Sequence, residues 1–313
     1  MGGLWDELGR KLADRWLTLL VLPGALYLAV AIAAHILGQS HALDIHQLTG
    51  QVTTWARAPA ASTVGGQVVL LAAAVAVSAA AGLAAQGLGS VIERLALAAG
   101  WHAWPSPLCH LAASRVTRRR HRWDKAHAAY HRDYELARQA RIAGDRLDPA
   151  ERHKAYRART RIAAERPDRP TWSGDRIHAV NVRLDRDCHL DLATVWPYLW
   201  LTVPEPVRAE ITTARQALTR ATTLGGWALL YAPLTAWWWP AVLITAVVAV
   251  TAWQRTRTTA DTYALLLETA ARLHTGDLAR HLGIDHTGLL TPDVGEALTH
   301  LLHTQPPPPP AAG

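Results

Sequence analysis

The chain has 313 residues, no Phe against 14 Trp, a formal charge of +7 and a pI near 9.8. Its mean hydropathy of +0.02 averages long apolar blocks with a densely charged middle, which excludes the even apolar spacing of two ordinary soluble domains. No Walker A loop, no GxGxxG in a βαβ setting, no HExxH and no CxxC occurs, so no cofactor, no metal and no enzymatic activity is expected.

Residues 1–15 form a short N-terminus in which Arg10, Lys11 and Arg15 are diluted by Asp6, Glu7 and Asp14. An apolar run follows, Trp16 to Leu37, without a formal charge. A bilayer core takes about 20 such residues in a helix, so 16–38 is expected to be the first span. Ala31, Ala33 and Ala34 resemble a signal cleavage site, but the length of the run and the spans that follow favour a retained signal-anchor. Pro23-Gly24 should kink it. Residues 39–63 read as a short external loop. A second uncharged block predicts a span over 64–89, in which Ala74, Ser78 and Gly82 recur every four residues, as do Ala81, Ala85 and Gly89. Small residues at that spacing let helix backbones approach closely, and packing against the first span is the expectation. An Ala-rich composition produces the same pattern without contact.

Residues 90–216 form a basic helical region. A helix is predicted from Pro107 to Ala143, with Cys109, Val116, Trp123, Tyr130 and Ala137 in a heptad-like stripe broken at Arg119 and Asp133. Gly144-Asp145 ends it, and Asp148, Pro149 and Glu151 start a second helix to about Glu165, giving an antiparallel hairpin. Trp123 and Tyr130 are candidate partner-binding residues on it. Arg115, Arg118, Arg119, Arg120 and Arg122 cluster just after the membrane. They read as a clamp for anionic headgroups or as a solvated face. Nucleic acid is an unlikely partner, because aromatic interleaving is sparse. His127 and His131 share a helical face, as do His274, Asp277 and His281, but surface histidines explain both sets. The stretch Pro170 to Ala179 is the most distinctive in the chain. Trp196, Tyr198 and Trp200 further on suit a membrane interface, or an aromatic anchor onto the hairpin.

The third block, Leu224 to Trp253, would make one straight helix about 45 Å long, well over the hydrocarbon thickness. Trp237, Trp238 and Trp239 before Pro240 belong at a headgroup boundary, so a helical hairpin is predicted with spans at 217–236 and 240–254. Residues 255–304 form C-terminal helices, one starting at Thr291-Pro292-Asp293, and 305–313 a Pro-rich disordered tail. Residues 90–220 hold 24 Lys and Arg against 15 Asp and Glu, and Arg255 and Arg257 follow the last block. The positive-inside rule places both segments in the cytoplasm, which requires an even number of crossings. The expectation is an all-α, multi-pass integral protein of the plasma membrane. It has two transmembrane helical hairpins, both termini cytoplasmic and a cytoplasmic helical hairpin between the spans.

The pattern Pro170-Thr171-x-x-Gly174-Asp175, then Leu190-Asp191, then Trp196-Pro197-x-Leu199, ahead of a hydrophobic hairpin, resembles a group of uncharacterised bacterial multi-pass membrane proteins. Tyr263 to Leu266 and Arg272 to His274 are similar to that group's tail. The resemblance covers about 170–283 and implies no activity. The functional expectation is a membrane scaffold or signalling protein that binds a cytoplasmic protein, or a second copy, through a coiled-coil-like hairpin. The alternative is an oligomeric pore-forming or membrane-perturbing effector of a bacterial conflict system.

Overall fold

The structure is a computed structural model and describes residues 21–57, 63–144, 149–284, 288 and 290–303. The N-terminus, the start of the first expected span, the capping residue Asp148, the side chain of Glu151 and the proline tail lie outside what it describes. Every regular element among the described residues is helical. They are α1 (Leu22–Leu37), α2 (Ile45–Ala56), α3 (Val64–Leu97), α4 (Ser106–Ile142), α5 (Pro149–Ile162), α6 (Trp172–Cys188), α7 (Leu192–Thr202), α8 (Glu205–Tyr231), α9 (Pro240–His281) and α10 (Pro292–Leu302). Short 3-10 turns lie at Trp101–Ala103 and Ala232–Ala236. The chain divides into two compact units, Met1–Glu93 with Thr219–Arg255, and Arg94–Leu218 with Thr256–Gly313.

In the first unit Pro23 is the second residue of the described α1, and Val21 before it already has helical backbone angles. The expected external loop contains α2, started by Asp44, whose carboxylate accepts from the Gln47 N–H at 3.1 Å. In α3 the residues Ser78, Gly82, Ala85 and Gly89 are buried, whereas Ala74 is exposed. A Cβ on Gly24 would overlap the Ser78 carbonyl, so α1 meets α3 backbone to backbone. Gly226 of α8 does the same against the Ala85 carbonyl, and a Cβ on Gly89 would sit 2.6 Å from Thr223 Cα. The small-residue face is therefore real: Ser78, Gly82, Ala85 and Gly89 of the two expected rows are covered, Ala74 is not, and two helices share the face.

Helices α8 and α9 are separated at Trp237–Trp239, between Pro233 and Pro240. A Cβ on Gly225 would lie 3.9 Å from that of Ala252, two positions equally far from the Trp238-Trp239 bond, so the helices return antiparallel. Gln39 Nε2 donates to the Thr235 and Ala236 carbonyls (3.2 and 3.0 Å), and Trp238 Nε1 donates to Ala42 O at 2.8 Å. The end of α1 and the apex of the α8–α9 turn thus sit together. Trp237 and Trp239 are exposed. Among the described residues one helix, α3, is long and apolar enough to cross a membrane, and α1 is apolar over 16 residues.

The core of the second unit joins α6, α7, α10 and the parts of α8 and α9 that belong to it. Val180, Leu184, Leu190, Val195, Leu199 and Leu298 are fully buried there. Ion pairs link Arg176 to Asp261, Arg183 to Glu268 (2.5 Å) and Asp187 to Arg272 (2.9 Å). A constant displacement along both helices means that α6 and α9 run parallel. The first two rungs stand seven residues apart, the spacing of one helical face. Burial pushes the Glu268 carboxyl up, but Arg183 and Arg272 outweigh it, and Glu268 titrates below its ordinary 4.5. Asp187 is held below 3.8, chiefly by Arg272. Folded values below the unfolded ones give stability that is present above about pH 4.5 and lost as pH falls through the folded values. The melting temperature is expected to be flat down to that point and then to fall, more steeply than in Arg183→Met/Arg272→Met. An identical acid limb in the variant would show that the ladder contributes nothing.

Helix α10 docks on the turn between α6 and α7. Asp191 N–H donates to Thr299 Oγ1 at 3.1 Å, Thr299 Oγ1 donates to His189 O at 3.3 Å, and a Cβ on Gly295 would overlap the Cys188 carbonyl. Gly295→Ala is expected to cost about 1–3 kcal/mol, as overpacking does. Amide exchange should then accelerate at 292–302 and not in α4.

Candidate functional site

The connection from α5 to α6, residues 163–171, carries Pro167 and Pro170 and cannot bond its own backbone into a helix. Parts of it are buried, including Ala163 and Pro167. A buried carbonyl without a donor costs about 1–3 kcal/mol, and here five are met by side chains from α4 and the turn before it. Arg119 donates to Ile162 O (2.8 Å) and Arg169 O (2.6 Å). Arg120 Nε donates to Pro167 O (2.8 Å), Trp123 Nε1 to Ala163 O (3.2 Å) and Trp101 Nε1 to Asp168 O (3.0 Å). Arg and Trp suit this role, because each brings N–H donors and no acceptor.

The same connection holds the last turn of α3. Thr171 Oγ1 donates to Ala96 O at 2.5 Å and Arg169 Nη1 to Leu97 O at 2.9 Å. A cation at the carbonyl end of a helix is favoured by its dipole. Thr171 also caps α6 by accepting from the Gly174 N–H at 3.1 Å.

At the centre stands Asp175, 4% exposed. Its Oδ1 accepts the Asp168 and Arg169 N–H groups (2.9 and 2.7 Å), and its Oδ2 lies 2.5 Å from Arg119 Nη1. Burial pushes the Asp175 carboxyl up, against the pull of Arg119 and the two N–H groups. Burial likewise lowers Arg119, against the pull of Asp175, with Arg115 and Arg257 adding to the lowering. The guanidinium stays charged throughout, and Asp175 is the carboxylate that faces it in this buried site. Around the pair, Arg257 lies 4.4 Å over the Trp172 ring, and Asp168 faces Arg120 at 2.5 Å. His178 sits 3.9 Å from Asp168 and is held below 6.5 by burial and then Arg169. The arrangement clamps the end of α3, α4 and the start of α6 at one point.

This placement changes the reading of several residues. Arg119 does not break the α4 stripe, and neither it nor Arg120 is free for headgroups, since both are spent on the connection. Arg115, Arg118 and Arg122 remain exposed. Trp123 is buried, and with Tyr130 it faces α5, where Arg159 lies 6.0, 4.9 and 5.4 Å from the rings of Trp123, Tyr130 and Tyr156. Trp123, buried, and Tyr130, partly buried, both contribute to the contact between α4 and α5. The pairings of Trp123 with Ala163 and Tyr130 with Tyr156 run in opposite senses, so α4 and α5 are antiparallel.

Trp196 and Trp200 pack against the second unit's core, with rings 5.8 Å apart, whereas Tyr198 is exposed. The segment therefore anchors to helices on one side. His127 stacks on Trp123 at 4.4 Å and is held below its ordinary value by burial, then by His131 and Arg159. His274 faces the Asp277 carboxylate at 3.4 Å, while His281 bonds the Asp277 carbonyl at 2.7 Å. Among the described residues no group of three or more His, Cys, Asp or Glu is placed to hold a metal.

Asp175 and its partners Asp168 and Arg169 were not singled out by their side chains, although Thr171 followed by Gly174-Asp175 carries a helix-start signal. The Arg183–Glu268 ladder left no local signal. Comparison with family models, with curated proteins and with solved structures gives no match.

Proposed function

We propose that the chain is a multi-pass membrane scaffold with crossings at 16–38, 64–89, 217–236 and 240–254, holding its basic helical region and C-terminal helices on the cytoplasmic side. The observation that carries this reading is α3. Its most apolar 18-residue stretch is only 22% buried. Val64, Val68, Val69, Leu70 and Leu71 are each at least half exposed, as are Leu22 and Leu26 of α1 and Val242, Leu243 and Val247 of α9. In water these side chains would forfeit on the order of 10 kcal/mol of burial, as much as the whole net stability of a domain. In lipid they forfeit nothing.

Two further facts support an even number of crossings. The α1 end and the Trp237–Trp239 apex are joined by hydrogen bonds, as two loops on the same side must be. The segments 90–216 and 255–304 both carry the arginines that the positive-inside rule retains. The resemblance to bacterial multi-pass proteins points the same way. The pore reading has no observation in its favour, because the buried small face of α3 is taken up by α1 and α8 of the same chain.

With Trp123 buried in the hairpin and Tyr130 turned to α5, partner binding falls to the exposed side chains on the other sides of α4, among them Tyr134, Leu136 and Ile142. A photo-crosslinker at Tyr134 or Leu136 in intact membranes is expected to trap one protein adduct of the same mass from both positions. None should form at the lipid-facing Leu71. No adduct at either hairpin position would remove the scaffold assignment.

A further inference from the structure

Helix α4 presents two opposite faces. Ala112, Val116, Arg119 and Trp123 lie on the covered one. Leu108, Leu111, Arg115, Arg118, Arg122 and Lys125 follow each other at helical spacing on the other, all exposed. None of these cations pairs with a carboxylate among the described residues. The neighbouring Arg120, Arg166 and Arg138 do so, with Asp168, Asp124 and Glu135. The strip is also fixed in place. Ala112 and Val116 pack on Ala98 and Trp101, the residues directly after α3, and Arg119 is bonded to the connection whose Arg169 caps α3.

We propose that this strip of α4 docks on anionic phospholipid headgroups at the end of α3, with Leu108 and Leu111 entering the interface and Arg115, Arg118 and Arg122 meeting phosphate. The inference rests on the reading of α3 as a membrane span. Three observations select lipid over other anions. The strip begins within one helical turn of residues packed against the end of an apolar helix. It opens with two exposed leucines, 47% and 66% accessible, which a nucleic acid would not cover. Its exposed face offers no aromatic ring for a base to stack on, because Trp123 is turned inward. Arg119 and Arg120 hold the helix in position, so the headgroup ligands are fewer than the run of arginines implies.

The test uses the full chain reconstituted in phosphatidylcholine bilayers with trace spin-labelled phosphatidylglycerol or spin-labelled phosphatidylcholine, reading the motionally restricted lipid next to the protein. Wild type is expected to prefer phosphatidylglycerol about fivefold or more, the effect of a single basic residue at an anionic surface. About 1 M salt should remove the preference, since the screening length is then about 3 Å. Arg115→Gln/Arg118→Gln/Arg122→Gln should abolish it and the corresponding triple Lys variant should keep it. Arg132→Gln, about 15 Å beyond Arg122 along the helix, should leave it unchanged. Because all three arginines are exposed, the Gln variant should melt with wild type.

Restricted lipid in wild type with no preference, or with a preference that survives the triple Gln change, overturns the headgroup site while the membrane reading stands. A preference unaffected by that change, together with loss of single-stranded RNA binding, would reassign the strip to nucleic acid. No restricted lipid for either headgroup would instead overturn the span on which the inference rests.

Discussion

Asp175→Asn is expected to destabilise the second unit by about 3–5 kcal/mol, the cost of leaving a buried charge without its partner. The substituted amide keeps an oxygen for the Asp168 and Arg169 N–H groups, but it turns its N–H donors toward Arg119, only 14% exposed, in place of the Oδ2 acceptor. The neighbouring pair is the control. Arg120 and Asp168 are 40% and 46% exposed, and Asp168→Asn should cost no more than about 1 kcal/mol. Denaturant unfolding in detergent checks both.

The pH dependence of the difference has a definite sign. Burial raises the Asp175 carboxyl, so the folded state binds its proton more tightly than the unfolded chain. The stability from this group therefore falls as pH rises through the folded value. The Asn variant lacks this titration, so its deficit relative to wild type is largest below the folded value and shrinks as pH rises through it. Equal costs for the two substitutions, at every pH, would mean that the Arg119–Asp175 pair is not buried as described.

Gly226→Ala is expected to cost the first unit at least the 1–3 kcal/mol typical of overpacking, because the added methyl overlaps a backbone carbonyl, Ala85 O, and not a side chain that can turn away. Gly87→Ala is the matched control. That glycine lies in α3 with nothing within 4 Å of the new Cβ, so the change should be neutral, or stabilising by up to about 1 kcal/mol through helix propensity. Thermal unfolding in micelles should separate the two. Variants that melt together would deny the close α3–α8 approach.

The elements that could be read from the sequence are those with local punctuation. Pro107 to Ala143 and Pro149 to about Glu165 anticipate α4 and α5 to within a few residues, because proline and glycine bracket them. The Trp237–Trp239 break follows from a helix too long for a bilayer and three indoles next to a proline. The small face of α3 is legible in the spacing of Ser78, Gly82, Ala85 and Gly89, but nothing local says that Ala74 stays exposed.

The candidate site was hidden for a different reason. Arg119 looks like a fault in an apolar stripe until Asp175, 56 residues later, is folded against it. The α6–α9 ladder joins residues 85 apart. Helix α2 is another matter: Asp44 is a helix-starting residue, and it caps a helix within the expected loop.

The central claim is that the chain crosses the bilayer four times and keeps its basic helical region in the cytoplasm. Topology reporters fused at Thr53, Arg138, Trp238 and Gln305 test it most directly. The account predicts cytoplasmic signals at Arg138 and Gln305 and external signals at Thr53 and Trp238. A cytoplasmic signal at Trp238, or an external one at Gln305, would contradict it, because the α8–α9 turn would then not be a pair of crossings.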